Sequence, residues 1–369
     1  MGAEAMSAVD SRHMQILTEA GLALVEPEAA AWDAFVEGHA RGNLLQRSGW
    51  GELKGGFGWG ARRLAVVAAG GEIVAGALLL LRARYGLSVA YTPRGPLLSG
   101  DERADRLLLA GLERVARRAR AVFLRLEPNV VEDDPGADTL HTWMLLQGLR
   151  AAPTIQPRSS VHVDLGPPDA ALLAACSKGH RADIKRAERG GVQVRVGDEG
   201  DLAVFHAVMR ATGARAGFGV HSEAYYRAAW RIFQPRSRLL LADIEGRVAA
   251  AHLVFADGRT GLYLYSGADE AGLKAGANHL LEWHALRWAR SLGCARYDLW
   301  GIPDALGRAA TAPEEERAAL EAEAQSDPLI GVYRFKKGFG GRVVRYLPAY
   351  DRVLIPPLYR LALSRLGQG

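Results

Sequence analysis

Cysteine is nearly missing from this 369-residue chain, which holds only Cys176 and Cys294. Two thiols cannot build a disulfide framework, so the sequence suits a reducing compartment. Histidines at ligand spacing are missing too. His279 and His284 would share a helix but point about 140° apart at 3.6 residues per turn, too far to grip one ion. Neither a metal nor a cofactor is expected. The first residues show no basic stretch running into an apolar core, so no signal peptide is expected. The longest apolar run, Ile73 to Leu81, falls well short of the ~20 residues of a membrane helix. These absences predict a cytoplasmic protein.

Several enzyme signatures are also absent. There is no G-x-S-x-G elbow and no Walker loop, and the glycines of residues 56–60 and 338–341 do not fit a dinucleotide fingerprint. Lysine is the last scarcity. Of 46 basic residues only six are lysines: Lys54, Lys178, Lys185, Lys274, Lys336 and Lys337. In a chain that uses arginine by default, a retained lysine marks a place suited to a compact ammonium. The net charge of +5 leans toward anionic partners.

What is present alternates strand and helix patterns. Strands are predicted at 64–69 and 73–82, joined at Gly70-Gly71, then at 88–91 and 122–127, with an amphipathic helix over 105–120. A similar order follows: a strand at 161–165, helical residues 170–189 broken near Lys178-Gly179, a strand at 192–196 and a helix at 202–212. A hairpin turning at Glu245-Gly246, a strand at 260–266, a helix at 278–292 and a strand at 295–300 complete it. Two comparable α/β halves joined near residues 151–158 are expected, with an acidic insertion at 304–328 and a basic, apolar terminal stretch, 342–366, packing back on the first half.

Five blocks stand in order along the chain. They are Leu45-Gln46-Arg47-Ser48-Gly49-Trp50-Gly51-Glu52-Leu53-Lys54, the YTPRGP of residues 91–96, the FLRLEPNV of 123–130, the GANHLLEW of 276–283, and a carboxy-terminal pair. That pair is the YDLWGIP of 297–303 and the GVYRFKKGFGG of 331–341. Together they resemble the Fem family of peptidoglycan-bridge aminoacyl transferases. The resemblance implies two tandem GNAT-like domains with mixed α/β sheets, residues 1–150 plus 344–369 and residues 151–343, here without the long coiled-coil arm of some members. It implies an aminoacyl-tRNA donor and, as acceptor, the stem-peptide side-chain amine of UDP-MurNAc-pentapeptide or a lipid-linked muropeptide. Peripheral contact with the inner membrane face fits such an acceptor.

The reaction is attack of an amine on an ester carbonyl, which needs a donor facing the oxyanion and a route for the amine proton. Lys336 and Lys337, flanked by Phe335, are the candidates for the tRNA end and the oxyanion, Lys336 first by resemblance; otherwise they form a solvated pair on a strand edge. Lys54 and Arg215 are candidates for the acceptor's diphosphate, or else a solvated helix end and an ordinary loop arginine. Arg215 sits in the block 212–218, which resembles the family's [KR]-R-x-x-F. Trp50 and Arg94 join them as acceptor-binding candidates from their blocks. Glu127 either orients the acceptor amine or ends a strand in a salt bridge. Tyr265 either lines the acceptor groove or packs in the core. Arg181, Lys185 and Arg189 form one basic helical face, for tRNA phosphates or for solvent. Two other readings stay open: a GNAT enzyme using acyl-CoA, and a non-catalytic tRNA-binding protein. Against the first, residues 273–278 lack the leading Arg or Gln and final Gly or Ala of a CoA pyrophosphate loop.

Overall fold

The computed structural model describes residues 17–19, 21–217 and 219–366. The chain divides into two compact units. The first takes in the residues up to Pro128, Leu146–Ala152 and those from Ala349 on; the second holds Asn129–Leu145 and Pro153–Pro348.

The first unit is built on an eight-stranded sheet. Its strands are β1 (Leu17–Glu19), β2 (Leu22–Val25), β3 (Gly60–Val67), β4 (Ile73–Arg84), β5 (Leu87–Thr92), β6 (Ala121–Leu126), β7 (Arg150–Ala152) and the late strand β15 (Ala349–Val353). The order is β1-β2-β3-β4-β5-β6-β15-β7, so β15 is inserted between β6 and β7. β3 and β4 form the hairpin expected at Gly70-Gly71, where Gly71 takes φ +87°. Between the parallel pair β5 and β6 runs the helix Glu102–Arg118. Asp101 caps it by accepting from Arg103 N at 2.9 Å, acids open its first turn and Arg117 and Arg118 close the last, as the helix dipole favours. Leu107, Leu108, Leu112 and Val115 bury its apolar face against the sheet. A buried bidentate pair, Arg125 with Asp351 at 2.7–2.8 Å, fixes the register of β15 on β6, where the two residues are direct partners.

The second unit repeats the plan with β8 (Ser159–Asp164), β9 (Gln193–Val196), β10 (Ser237–Ile244), β11 (Arg247–Asp257), β12 (Thr260–Ala268), β13 (Arg296–Asp298) and β14 (Arg342–Arg345). Their order is β14-β8-β13-β12-β11-β10-β9. Again one parallel pair, β12 and β13, brackets a crossover helix, Ala277–Ser291.

Residues 129–145 depart from the expected first half. Glu132 binds Arg158 and Arg345, each at 2.7 Å, and Leu347 N donates to Val130 O, which fastens this stretch to the second unit. The helix Ala137–Leu146 within it has no counterpart in the sequence-based reading, nor does Glu223–Ile232. The acidic insertion folds as helices Asp304–Thr311 and Glu314–Ala324. Among the described residues no helix is long and apolar enough to cross a membrane.

Candidate active site

The GVYRFKKGFGG motif forms a helix, Ile330–Lys337, followed by a glycine loop, and not the strand edge that was the alternative expectation. Neighbouring helical positions point about 100° apart, and that separates the two lysines. Lys337 is exposed and its Nζ donates to Gly341 O at 2.8 Å, tying down the loop. Lys336 turns inward and is only 5% exposed.

Each glycine of that loop has a steric reason. A Cβ on Gly338 would lie 2.0 Å from the His180 ring, and one on Gly340, at φ +84°, would lie 2.6 Å from Ala175 O. The close approach lets Ser177 N donate to Gly338 O at 2.7 Å while the Ser177 hydroxyl caps the helix Lys178–Arg189. His180 then reaches the helix end from the side, its Nε2 2.7 Å from Phe335 O. That carbonyl is one of those a helix leaves unsatisfied at its C-terminus. Phe335, Phe339, His180 and His279 pack edge to face around it. Burial and the neighbouring His180 hold His279 down to about 4.

The Lys336 ammonium meets a built surround. Nζ donates to Gly301 O at 2.7 Å and lies 5.7 Å from the centre of the Tyr263 ring. An ammonium has three donors, and Gly301 O is its one hydrogen-bond acceptor among the described residues. Burial lowers its pKa from 10.5 to about 7, with Asp298 and Glu282 opposing the fall. Asp298 holds the turn that presents Gly301: it accepts from Trp300 N at 2.7 Å, from the Ser160 hydroxyl and from Tyr346 OH at 3.1 Å. Trp300 takes φ +63°, a left-handed conformation that costs a bulky residue and that these bonds enforce.

Glu282, His252, Asp298 and Tyr263 are missed by the sequence-based reading. Glu282 carried a signal, because it shares a helical stripe with the buried Ala285, Leu286 and Ala289, where an acid is out of place. Asn278, one turn earlier, sits 3.3 Å from His252 Nε2. Burial raises the Glu282 carboxyl above its ordinary range.

The remaining candidates fall into separate clusters. In the first unit Lys54 lies at the end of the helix Ser48–Gly55, its Nζ 5.0 Å from the centre of the buried Trp50 ring. Glu127 is buried and accepts from the Tyr91 hydroxyl, and Arg94 is buried nearby in the chain at φ +52°. In the second unit Tyr265 joins an aromatic cluster with Tyr225, Tyr226 and His221. Beside it opens a cavity of about 880 Å³ lined by His206, Arg210, Ala214, His221 and Ser222, also missed from sequence. Arg215 is exposed on the last turn of the helix Leu202–Ala216, while Phe218 of its block lies outside the described residues. On the basic helix Lys185 and Arg189 are exposed, but Arg181 turns back to the carbonyls of Ala174 and Cys176. Both cysteines are buried, and burial pushes the Cys294 thiol up to about 11.

Residues 28–142 match the FemAB family, and residues 174–311 match an acetyltransferase (GNAT) domain. A lipid II:glycine glycyltransferase of Staphylococcus saprophyticus is 24% identical over 406 residues, 90% of this chain and 93% of that protein. One from Staphylococcus aureus is also 24% identical, over 89% of this chain and 92% of its own. Among solved structures, that of FemX superposes with a TM-score of 0.80 at 21% identity, covering 92% of this chain and 99% of that one. The same two-sheet plan, with a GNAT match in the second unit, gives a tandem GNAT fold. The amino-terminal match to the FemAB family, the lipid II:glycine glycyltransferases related over about 90% of the chain and the fold shared with FemX all agree.

Proposed function

We propose that this protein transfers an amino acid from aminoacyl-tRNA to the stem-peptide side-chain amine of a lipid-linked peptidoglycan precursor, at the cytoplasmic face of the membrane. The relatives' names supply the acceptor class, lipid II. Support from the molecule comes chiefly from one observation: Lys336 is buried, yet uses one of its three donors on the protein.

In the step proposed, the neutral acceptor amine attacks the ester carbonyl and an N–C bond forms. The carbonyl oxygen takes up negative charge, which the open donors of Lys336 stabilise more in the transition state than in the ground state. The intermediate collapses, the C–O ester bond breaks, and the ribose hydroxyl leaves with the proton given up by the amine. Lys54, as a point charge beside Trp50, is assigned the acceptor's diphosphate, with Arg215 a second candidate. Glu127, held by Tyr91, is assigned to orient the amine.

The test is incubation with tRNA charged with glycine, alanine or serine and a lipid-linked or nucleotide-linked acceptor, followed by mass spectrometry. Acceptor heavier by one amino-acid residue, only when charged tRNA is present, is expected. Acylation from acetyl-CoA alone would overturn the reading.

A further inference from the structure

Four segments of the first unit come together at one end of its sheet. The β4–β5 hairpin turns there at Tyr85-Gly86. Pairing of Ser88 with Ala121 brings in the turn Arg118–Arg120, whose Arg120 O accepts from Ser88 N at 3.1 Å. β15 runs antiparallel to β6, and Leu354 N bonds Val122 O at 2.9 Å, so the helix Pro356–Leu366 starts at the same end. Gly60 opposite Leu81 brings in the stretch that follows Lys54, with Trp59 5.5 Å beneath Arg82.

Their charge is one-sided. Residues 54–61, 81–87, 114–120 and 354–363 contain one lysine and seven arginines, and no Asp or Glu. Arg117 is neutralised at the margin by Glu113. Arg82, Arg84, Arg118, Arg120 and Arg360 are all exposed, and none forms an ion pair with a carboxylate among the described residues. Apolar groups stand out among them. Tyr85 at the hairpin tip is 82% exposed, and Leu361 is 52% exposed on the helix whose Tyr359 packs inward on Val122 and Phe123.

We propose that this end of the first unit is a docking face for an anionic membrane surface, with the arginines on lipid headgroup phosphates and Tyr85 and Leu361 entering the interface. Arginine with exposed aromatic and aliphatic tips is the composition of a peripheral membrane contact. A nucleic-acid backbone would satisfy the arginines but give Leu361 no partner. The proposal deepens the functional reading and rests on it in one respect: Lys54, assigned the acceptor's diphosphate, lies at the rim of this face. A diphosphate that carries a lipid tail sits in the headgroup layer, so the face would bring Lys54 to that depth.

The experiment is co-sedimentation of the full chain with vesicles of phosphatidylcholine, alone or mixed with phosphatidylglycerol. Binding to the anionic vesicles only, weakening with salt, is expected. The variant Arg82→Gln/Arg84→Gln/Arg118→Gln/Arg120→Gln should lose more than tenfold in affinity, at roughly fivefold per charge. Tyr85→Asn/Leu361→Ser should lose several-fold, and asparagine tolerates the φ of +51° at residue 85. Turnover of vesicle-embedded acceptor should fall with binding, while turnover of a soluble nucleotide-linked acceptor stays at the wild-type rate. Equal binding to both vesicle types, wild-type binding by the arginine variant, or loss of tRNA binding with vesicle binding kept would each overturn the proposal. Sedimentation needs no catalysis, so it decides the docking face even if transfer fails with every acceptor.

Discussion

His252 Nδ1 stands 3.3 Å from Glu282 Oε2, and neither side chain has any surface open to solvent. The pair lies behind Tyr263, whose ring meets His252 edge to face on one side and Lys336 on the other. Burying an acid is costly unless it is paired, and His252, Lys336 and Tyr297 oppose that cost here. The field of Glu282 in turn raises the proton affinity of Lys336 against the effect of burial.

That relationship predicts a displaced pH profile. If the ammonium form of Lys336 is the active one, kcat at saturating substrates falls as pH rises through its pKa, about 7. Glu282→Gln removes a charge that favours the ammonium, so the falling limb should move to lower pH. The check is a kcat–pH profile of both proteins; a limb that rises through neutral pH would make Lys336 a base instead of a donor.

Lys336→Met should lower kcat by roughly 10²–10³, as removal of an oxyanion-hole donor does. It should also stabilise the fold. Lys336 is held below its unfolded pKa of 10.5, so its burial penalty is fully present below pH 7 and fades as pH rises toward 10.5. At about 1.4 kcal/mol per unit of displacement, the gain at pH 6 is a few kcal/mol. Denaturant titrations at pH 6 and pH 10 measure it. A variant no more stable at pH 6 than the wild type would contradict the buried-ammonium description.

Lys54 is assigned a contact present in both bound substrate and transition state. Lys54→Ala should therefore raise the apparent KM for acceptor while leaving kcat nearly unchanged. Lys54→Arg should keep much of the affinity, because a guanidinium also binds phosphates and stacks on Trp50. Steady-state kinetics with varied acceptor separates this from a kcat effect, which would move Lys54 into the chemistry.

Gly338→Ala places a methyl group 2.0 Å from His180 and should disturb the loop behind Lys336. A cost of about 1–3 kcal/mol fits overpacking at a tight site. His180→Ala clears the clash, so the double variant should recover part of the loss seen in Gly338→Ala. Thermal unfolding of the two single variants and the double reads the coupling; strict additivity would show that the two residues do not crowd each other.

Local signals made much of the fold readable. The Gly70-Gly71 and Glu245-Gly246 turns, and the apolar stripe of Glu102–Arg118, follow from backbone freedom and helical period. The Lys336 helix was harder, because its aromatic and basic residues alternate as they would along a strand. Its conformation is set from outside, by His180 and the close approach of Ser177. Lys336 itself was readable from motif and lysine scarcity. Its surround was less so: Glu282 stood out as an acid on an apolar stripe, but nothing local ties it, Asp298 and Tyr263, on three separate elements, to Lys336.

The insertion of β15 between β6 and β7 sets an order of events during synthesis. β6 pairs with β5 at once but cannot find its second neighbour, nor Arg125 its Asp351, until more than two hundred further residues have been made. The second unit has all its strands but the edge strand β14 once Asp298 is made, and can pair them while the first still waits with an open edge. A nascent chain stopped short of residue 349 would thus hold a carboxy-terminal sheet lacking only its edge strand behind an amino-terminal one split in its middle.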